Sequence, residues 1–410
     1  MSDERRRLTL VNNMPSHHQM PLARGLHALL GDRFRCVFIS PMDAERTGMR
    51  WADPSAGAGE WVIRSWESRE AASRARDAAL SADAALLCTL WSYDPVPDWA
   101  RERLANGRLT LGFSESRAKP ALRRPQFKSG TPAIGPLRWV AALRARKGLE
   151  EERRTYASPH CHFLSIGARA AAFEARRGNF GDRLWKYGYF TEVPQSAPVP
   201  RPSGVLRIVY AGRLLPWKRV VDLIEGSALA VGRGAQLQVE VVGEGPEQDR
   251  LRTLADARAL TDRMSFHPFQ PADSIRETMR ASHVLFLGST DEEGWGAVVN
   301  EGMSEGCVPV VSSSCGAGTY LVEHGRNGFK YEMGDVDALA NVFVELAADL
   351  AEAERLGRQA WESMRSDWSP AVAADRIVRF CDEILAGGPP PHFETGPLSA
   401  ALATTRTPRA

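Results

Sequence analysis

Nowhere in these 410 residues is there an uncharged apolar run of the roughly 18 residues that a membrane-crossing helix needs. The opening residues, Met1-Ser2-Asp3-Glu4-Arg5-Arg6-Arg7, lead directly towards a short strand and lack a secretory core. The expectation is a cytosolic chain that does not span a bilayer. Charge of one sign is not in excess either, since 52 Lys and Arg against 50 Asp and Glu leave a formal +2. Nothing global therefore calls for a nucleic-acid partner. Cysteine is sparse: Cys36, Cys88, Cys161, Cys307, Cys315 and Cys381 are scattered through apolar stretches without Cys-x-x-Cys spacing, and read as small core residues. No His-Glu-x-x-His or clustered carboxylate spacing appears, so no protein-bound metal and no resident cofactor are expected. What is present, 43% hydrophobic and 25% charged residues, is the composition of a globular enzyme long enough for two domains.

Short apolar runs alternate with helical patterns along the chain. Strands are predicted near Leu8 to Val11, Cys36 to Ile39, Ala84 to Leu90 and Leu109 to Phe113, and again near Leu206 to Ala211, Gln238 to Val242, Val284 to Leu287 and Val308 to Val311. That rhythm implies parallel sheets flanked by helices, an α/β fold. Between the two sets, residues 193–204 are too rich in proline for a helix or central strand and read as a linker. It separates an N-terminal domain over 1–192 from a C-terminal domain over 205–368. Ser369-Pro370 predicts a further helix over 369–386, with Val372, Ile377, Phe380 and Ile384 on its apolar face. The tail from Gly387 to Ala410 lacks apolar periodicity and is expected to be disordered.

One stretch carries chemistry. Glu293-Gly294-Trp295-Gly296 follows the apolar run Val284 to Leu287 and opens a helical pattern that includes Glu301 and Met303. Glu293 thus belongs at a strand's carboxyl end and Glu301 on the helix, where both can face one crevice. Unpaired N–H groups at a helix start suit a diphosphate, and carboxylates accept hydrogen bonds from vicinal sugar hydroxyls. In the same way, Gly212-Arg213 and Lys218 close the run Leu206 to Ala211, and cations at a parallel strand's carboxyl end lie where ligands of open α/β sheets bind. Gly243-Glu244-Gly245-Pro246 ends a third strand, its glycines letting backbone pass close to a ligand.

The run from Val284 to Val311, closing in Gly306-Cys307-Val308-Pro309-Val310-Val311, resembles the signature of the retaining glycosyltransferases of family 4, the glycosyl transferases group 1. Trp295 stands where that family usually has Phe. The resemblance implies a GT-B fold, with two Rossmann-like αβα domains facing a central cleft and the 369–386 helix returning to the first domain. It further implies that Arg213 and Lys218 neutralise the donor's diphosphate, that Glu301 holds the ribose and Glu293 the donor sugar, and that Gly212, Gly243, Gly245, Gly294, Trp295 and Gly296 border the donor. Arg219 replaces the glycine usual after the lysine. Pro268 replaces a glycine near the base, and Tyr320 stands at a glutamate position. Gly325 and Asn327-Gly328 are expected to form a turn before an edge strand.

On the other side, Asn12 to Pro21 lies at the crest of the first sheet and reads as an acceptor-contacting loop, with His17 and His18 as candidates to orient an acceptor hydroxyl. Glu115, at the end of Leu109 to Phe113, either faces the cleft and holds a sugar hydroxyl or pairs with Arg117. From Arg117 to Lys147 nine basic residues occur without an acid, with Leu137, Trp139, Val140 and Leu143 interleaved; a basic amphipathic helix of this kind can settle on anionic lipid at the inner face of a membrane.

By resemblance, the reaction is metal-independent transfer of a hexose-type sugar, with retention, from a UDP- or GDP-linked donor to a glycan, glycolipid or small-molecule acceptor in cell-surface polysaccharide or glycoconjugate synthesis. A nucleotide-sugar epimerase of the same fold, a phosphorylase-like enzyme and a non-catalytic nucleotide-sugar-binding subunit share these features and stay open at this point.

Overall fold

The computed structural model describes residues 7–43, 52–118, 136–201 and 204–402, with the backbone alone given over 136–145. Two parallel sheets organise it. The first contains β1 (Arg7–Asn12), β2 (Phe34–Phe38), β3 (Val62–Arg64), β4 (Ala84–Cys88), β5 (Thr110–Ser114), β6 (Cys161–Ile166) and β7 (Leu184–Tyr187), in the order β3-β2-β1-β4-β5-β6-β7. The second contains β8 (Leu206–Ala211), β9 (Leu237–Val242), β10 (Met264–His267), β11 (Val284–Leu287), β12 (Val308–Ser312) and β13 (Phe329–Tyr331), in the order β10-β9-β8-β11-β12-β13. Strand order reverses between β1 and β4 and again between β8 and β11. Doubly wound sheets open a crevice at such a reversal, beyond the strands' carboxyl ends.

Central strands are buried on both faces, so they read as continuous apolar runs: every residue of β4, β11 and β12 is buried. Pro309 sits in β12 without breaking a ladder. The Val308 N–H donates to the His283 carbonyl on the β11 side, at 2.8 Å. Alternation then turns the donor that Pro309 lacks towards β13, whose pairing starts one residue later at Val310 with Phe329. Phe329 begins the edge strand that the Asn327-Gly328 turn predicts.

The helices are α1 (Met20–Leu30), α2 (Arg69–Leu80), α3 (Val96–Ala105), α4 (Pro136–Tyr156), α5 (Ala168–Arg177), α6 (Val220–Gly232), α7 (Gln248–Ala257), α8 (Ala272–Arg280), α9 (Val298–Ser304), α10 (Gly316–Leu321), α11 (Val336–Ala348), α12 (Leu350–Ser366) and α13 (Pro370–Leu385). Ser369 caps α13 by accepting from the Val372 N–H at 3.3 Å, and Pro370 occupies its first turn. The helix lies on α1, close enough that a Cβ at Gly25 would stand 3.2 Å from that of Ala374. Phe380 of α13 meets His162 and Trp185 of the first sheet edge-on, each at 5.1 Å between ring centres. The last helix therefore fastens the second sheet's chain to the first. Among the described residues no helix is long and apolar enough to cross a membrane.

The tail departs from expectation. Residues 387–402 are not disordered: Leu398 N–H donates to the Lys186 carbonyl and Lys186 N–H to the Ser399 carbonyl, both at 2.8 Å, and Trp185 bridges Ala400 in antiparallel sense. β7 is a sheet edge with unpaired backbone groups, and the tail satisfies them while Leu398 is fully buried. Residues 403–410 lie outside the described residues, as do residues 119–135 of the basic segment expected to touch lipid. All six cysteines are buried, as their apolar surroundings in the sequence imply.

Candidate functional site

The donor rim is made by two loops tied to each other. β8 is followed by Gly212 and Arg213, the latter's carbonyl accepting a hydrogen bond from the buried Tyr210 hydroxyl at 2.8 Å, and the chain then makes a 3-10 turn over Pro216–Lys218. The Thr290 N–H, from the loop after β11, donates to the Trp217 carbonyl at 2.8 Å. This bond brings Lys218 to Glu293: the ammonium is ion-paired with Glu293 Oε2, which also accepts from Ser289 Oγ at 3.1 Å. The Lys218 ammonium stands 4.5 Å from the centre of the Trp217 ring. Both partners are mostly buried, with 15% and 13% of their side chains exposed, so their attraction is screened less than at a surface.

The glycines permit close approach of backbone. Gly243, at φ +141°, passes directly over the Gly212 carbonyl, where any side chain would collide; Gly245 does the same over Leu214. Gly294 and Gly296 shape the turn before α9, the latter at φ +93°. Arg219 holds the left-handed conformation, at φ +51°, that a glycine would adopt without strain. Its guanidinium turns away to the buried Asp222 in a two-pronged pair at 2.6 and 2.9 Å, so the replacement leaves the Lys218 side of the rim open. Asp222 also accepts from the Tyr331 hydroxyl and the Gly334 N–H, at 3.2 and 3.1 Å.

The Trp295 indole is fully buried: it donates to Asn300 Oδ1 at 2.8 Å and packs among Tyr189, Tyr320 and Trp368. A Cβ on Gly188 would strike its ring. Trp295 is a wedge between the two sheets.

Several side chains cross the cleft. His18, on the loop after β1, places Nε2 3.4 Å from Glu301 Oε1 on α9. Burial pushes the Glu301 carboxyl up, but the His18 hydrogen bond and the charges of His18, Arg276 and His17 more than offset it, leaving it below the usual carboxylate range. His17, beside it, is half-buried, and burial together with His18 lowers its pKa. Glu115 does not pair with Arg117. Its Oε1 accepts from the Tyr189 hydroxyl at 2.8 Å, and its other oxygen lies against Gly294, at a spot no side chain could share. Burial raises the Glu115 pKa, and the negative Glu293 nearby adds to the rise. Arg117 is held instead by Glu174 at 2.9 Å and Glu152 at 2.6 Å.

Three further partners cross the cleft, of which Tyr189 and Arg169 carry no sequence signal. Tyr189 bonds Glu115, stacks with His18 at 6.0 Å and accepts from the Asn300 amide at 2.9 Å. Arg169 of α5 pairs with Asp291 at 3.0 Å. Tyr320, at the family's glutamate position, meets Ser165 Oγ with its hydroxyl at 2.8 Å. Beneath this roof, at the carboxyl ends of β1, β4 and β5, lies a cavity of about 400 Å3 whose lining includes Asn13, Ser92, Tyr93, Glu115 and Arg117. The sites named in the sequence thus form two facing groups: Arg213, Lys218, Glu293 and Glu301 on one rim, and His17, His18 and Glu115 on the other.

The sequence model of the glycosyl transferases group 1 family matches residues 195–363, the stretch that holds Arg213, Lys218, Glu293 and Glu301. The lipopolysaccharide core biosynthesis glycosyltransferase LpsE of Rhizobium meliloti is 27% identical over 198 residues, 48% of this chain and 52% of the relative. An exopolysaccharide phosphotransferase of Streptomyces coelicolor is 29% identical over 198 residues, 47% of this chain and 20% of the relative. The chain therefore spans about half, or less, of the length of these curated relatives. Among solved structures, HepE of Anabaena in complex with UDP superposes with a TM-score of 0.59 over 92% of this chain and 99% of its own, at 16% identity. The shared architecture is GT-B.

Proposed function

We propose that this chain, whose residues 195–363 match the model of the group 1 glycosyl transferases, moves a hexose from a UDP- or GDP-linked donor to a glycan or glycolipid acceptor, with retention, in the synthesis of a surface polysaccharide or lipopolysaccharide. The observation that carries the reading is the Lys218–Glu293 ion pair, set in a rim with Arg213 and Glu301 and facing the polar cavity around Glu115.

In this reading a bound donor inserts its diphosphate beside Lys218 and Arg213, and Glu293 turns from Lys218 to hydroxyls of the sugar. Glu301 accepts from the ribose hydroxyls. As the bond between the anomeric carbon and the phosphate oxygen breaks, the two cations stabilise the charge gathering on the leaving group, the role a divalent ion plays in other transferases. The acceptor oxygen bonds to the same face of the anomeric carbon, and its proton passes to the departing phosphate. The cross-cleft contacts of His18, Arg169 and Tyr320 support a closed form that excludes water during the step.

Release of nucleoside diphosphate from UDP- and GDP-hexoses, measured across an acceptor panel with the product's anomeric configuration read by NMR, tests this. Turnover with retention is expected in the wild type and its loss in Lys218→Ala. Unchanged turnover in that variant, or an inverted product, overturns the assignment.

A further inference from the structure

We infer that the acceptor end of the site takes an uncharged sugar ring, stacked on Tyr93 with a hydroxyl directed at Glu115. The inference rests on the transferase reading above and adds to it the chemical class of the acceptor. Two independent observations carry it.

The first is Tyr93 itself. It lies just beyond β4, at the first sheet's reversal of strand order, and lines the 400 Å3 cavity while 51% exposed. Among the described residues no other ring stacks on it. Its backbone is left-handed, at φ +67°. For a bulky residue that conformation is strained, and such strain collects at sites where a ligand is clamped. A half-exposed aromatic that is strained rather than packed offers a flat apolar face, and a pyranose presents a matching face of C–H groups beside its hydroxyls.

The second is charge. Arg117, the lining arginine, is already committed: Nε and Nη2 donate to both oxygens of Glu174 at 3.0 Å, Nη2 donates to Glu152 at 2.6 Å, and the guanidinium carbon stands over the Trp91 ring, 3.7 Å from its centre. His18 faces Glu301. The remaining acidic or basic side chain in the described lining is Glu115, an acceptor of hydrogen bonds that repels anions. Among the described residues of the lining, a phosphate or carboxylate would meet no uncompensated cation, whereas Asn13, Ser92 and Glu115 suit the hydroxyls of a neutral ring. The cavity's volume lies within the roughly 300–1,000 Å3 common for small-ligand sites.

Saturation-transfer NMR on the full chain, with UDP or GDP present, provides the test, using methyl α-D-glucoside, methyl α-D-galactoside and methyl α-D-mannoside against glucose 6-phosphate. At least one methyl glycoside should bind, with its ring C–H protons closest to the protein, and glucose 6-phosphate should bind more weakly. Tyr93→Phe should retain that binding and Tyr93→Gly should weaken it at least fivefold. Glycine also relieves the left-handed strain, so this variant should melt no lower than the wild type, which separates lost stacking from lost folding. Equal binding by Tyr93→Gly, preference for the sugar phosphate, or no glycoside binding overturns the inference. If UDP and GDP themselves fail to raise the wild-type melting temperature, the donor reading has failed instead.

Discussion

His18 of the first domain reaches to within 3.4 Å of Glu301 in the second, so the loop expected to face the acceptor touches the carboxylate expected to hold the donor's ribose. Occupation of one side thereby bears on the geometry of the other. A hydrogen bond to a charged group contributes about 1.5–3 kcal/mol, and the length of this one puts it at the lower end. His18→Ala should raise the donor KM about tenfold, while His17→Ala changes it less than threefold. Steady-state titration of the donor at saturating acceptor distinguishes them; an unaltered KM in His18→Ala would separate that imidazole from the nucleotide site.

Arg219 carries two opposed effects. Its left-handed backbone is unfavourable for any residue with a Cβ, by about 1 kcal/mol against glycine. Its side chain pairs with Asp222, which is 2% exposed. Arg219→Gly and Arg219→Ala both lose the pair, but glycine alone relieves the strain. Urea unfolding should place both below the wild type, with the glycine variant about 1 kcal/mol more stable than the alanine. The reverse order would show that the turn is not strained.

Trp295→Phe restores the residue typical of the family yet removes the indole donor to Asn300 and leaves a gap between Tyr189, Tyr320 and Trp368. A stability loss of roughly 2–4 kcal/mol follows from the orphaned amide oxygen and the lost volume. The donor KM should stay within about twofold, a change below 0.5 kcal/mol. A large rise in KM at unchanged stability would mean that the indole touches the donor after all.

The second sheet was the more legible in sequence because β11 and β12, buried on both faces, are nearly continuous apolar runs, while β8 and β9 keep an apolar residue at every other position. β6 places His162 and Ser165 among its apolar residues, and β7 is the four-residue Leu-Trp-Lys-Tyr, so neither shows a strand's period by itself. The tail around Leu398 gives no local pattern, since its order comes from β7's unpaired backbone rather than from an amphipathic face of its own. Lys218, Glu293 and Glu301 were readable because each sits in a short motif beside a strand end. The pairings around them were not: Tyr189 and Glu115 are 74 residues apart, Ser165 and Tyr320 are 155 apart, and nothing local says that either pair meets. The burial of the Trp295 indole was not readable either, because a motif position fixes backbone and not the direction in which a larger side chain points.

Acid should loosen the fold. His162 and His283 are buried, and burial lowers their pKa values from 6.5 to about 3 and about 4. The folded state holds both neutral while the unfolded chain binds a proton on each below pH 6.5. Stability is then complete above that pH and lost as pH falls towards 4, by about 1.4 kcal/mol per pH unit for each histidine. Burial raises Glu115 and Glu174, which oppose the trend near the carboxylate range. Urea midpoints between pH 7 and 4.5 should decline, and His283→Asn, which keeps an acceptor for the Arg207 N–H, should reduce the slope by about half. A slope unchanged in that variant would remove His283 from the account.

The central claim is that Lys218 and Glu301, one at the end of β8 and the other on α9, together grip a nucleoside diphosphate. Isothermal titration of UDP and GDP into the wild type, Lys218→Ala and Glu301→Ala measures this without any acceptor. One of the two nucleotides should bind at one site per chain, and each substitution should weaken it at least tenfold, about 1.4 kcal/mol, without altering the circular dichroism spectrum. Equal affinity in all three proteins would contradict it.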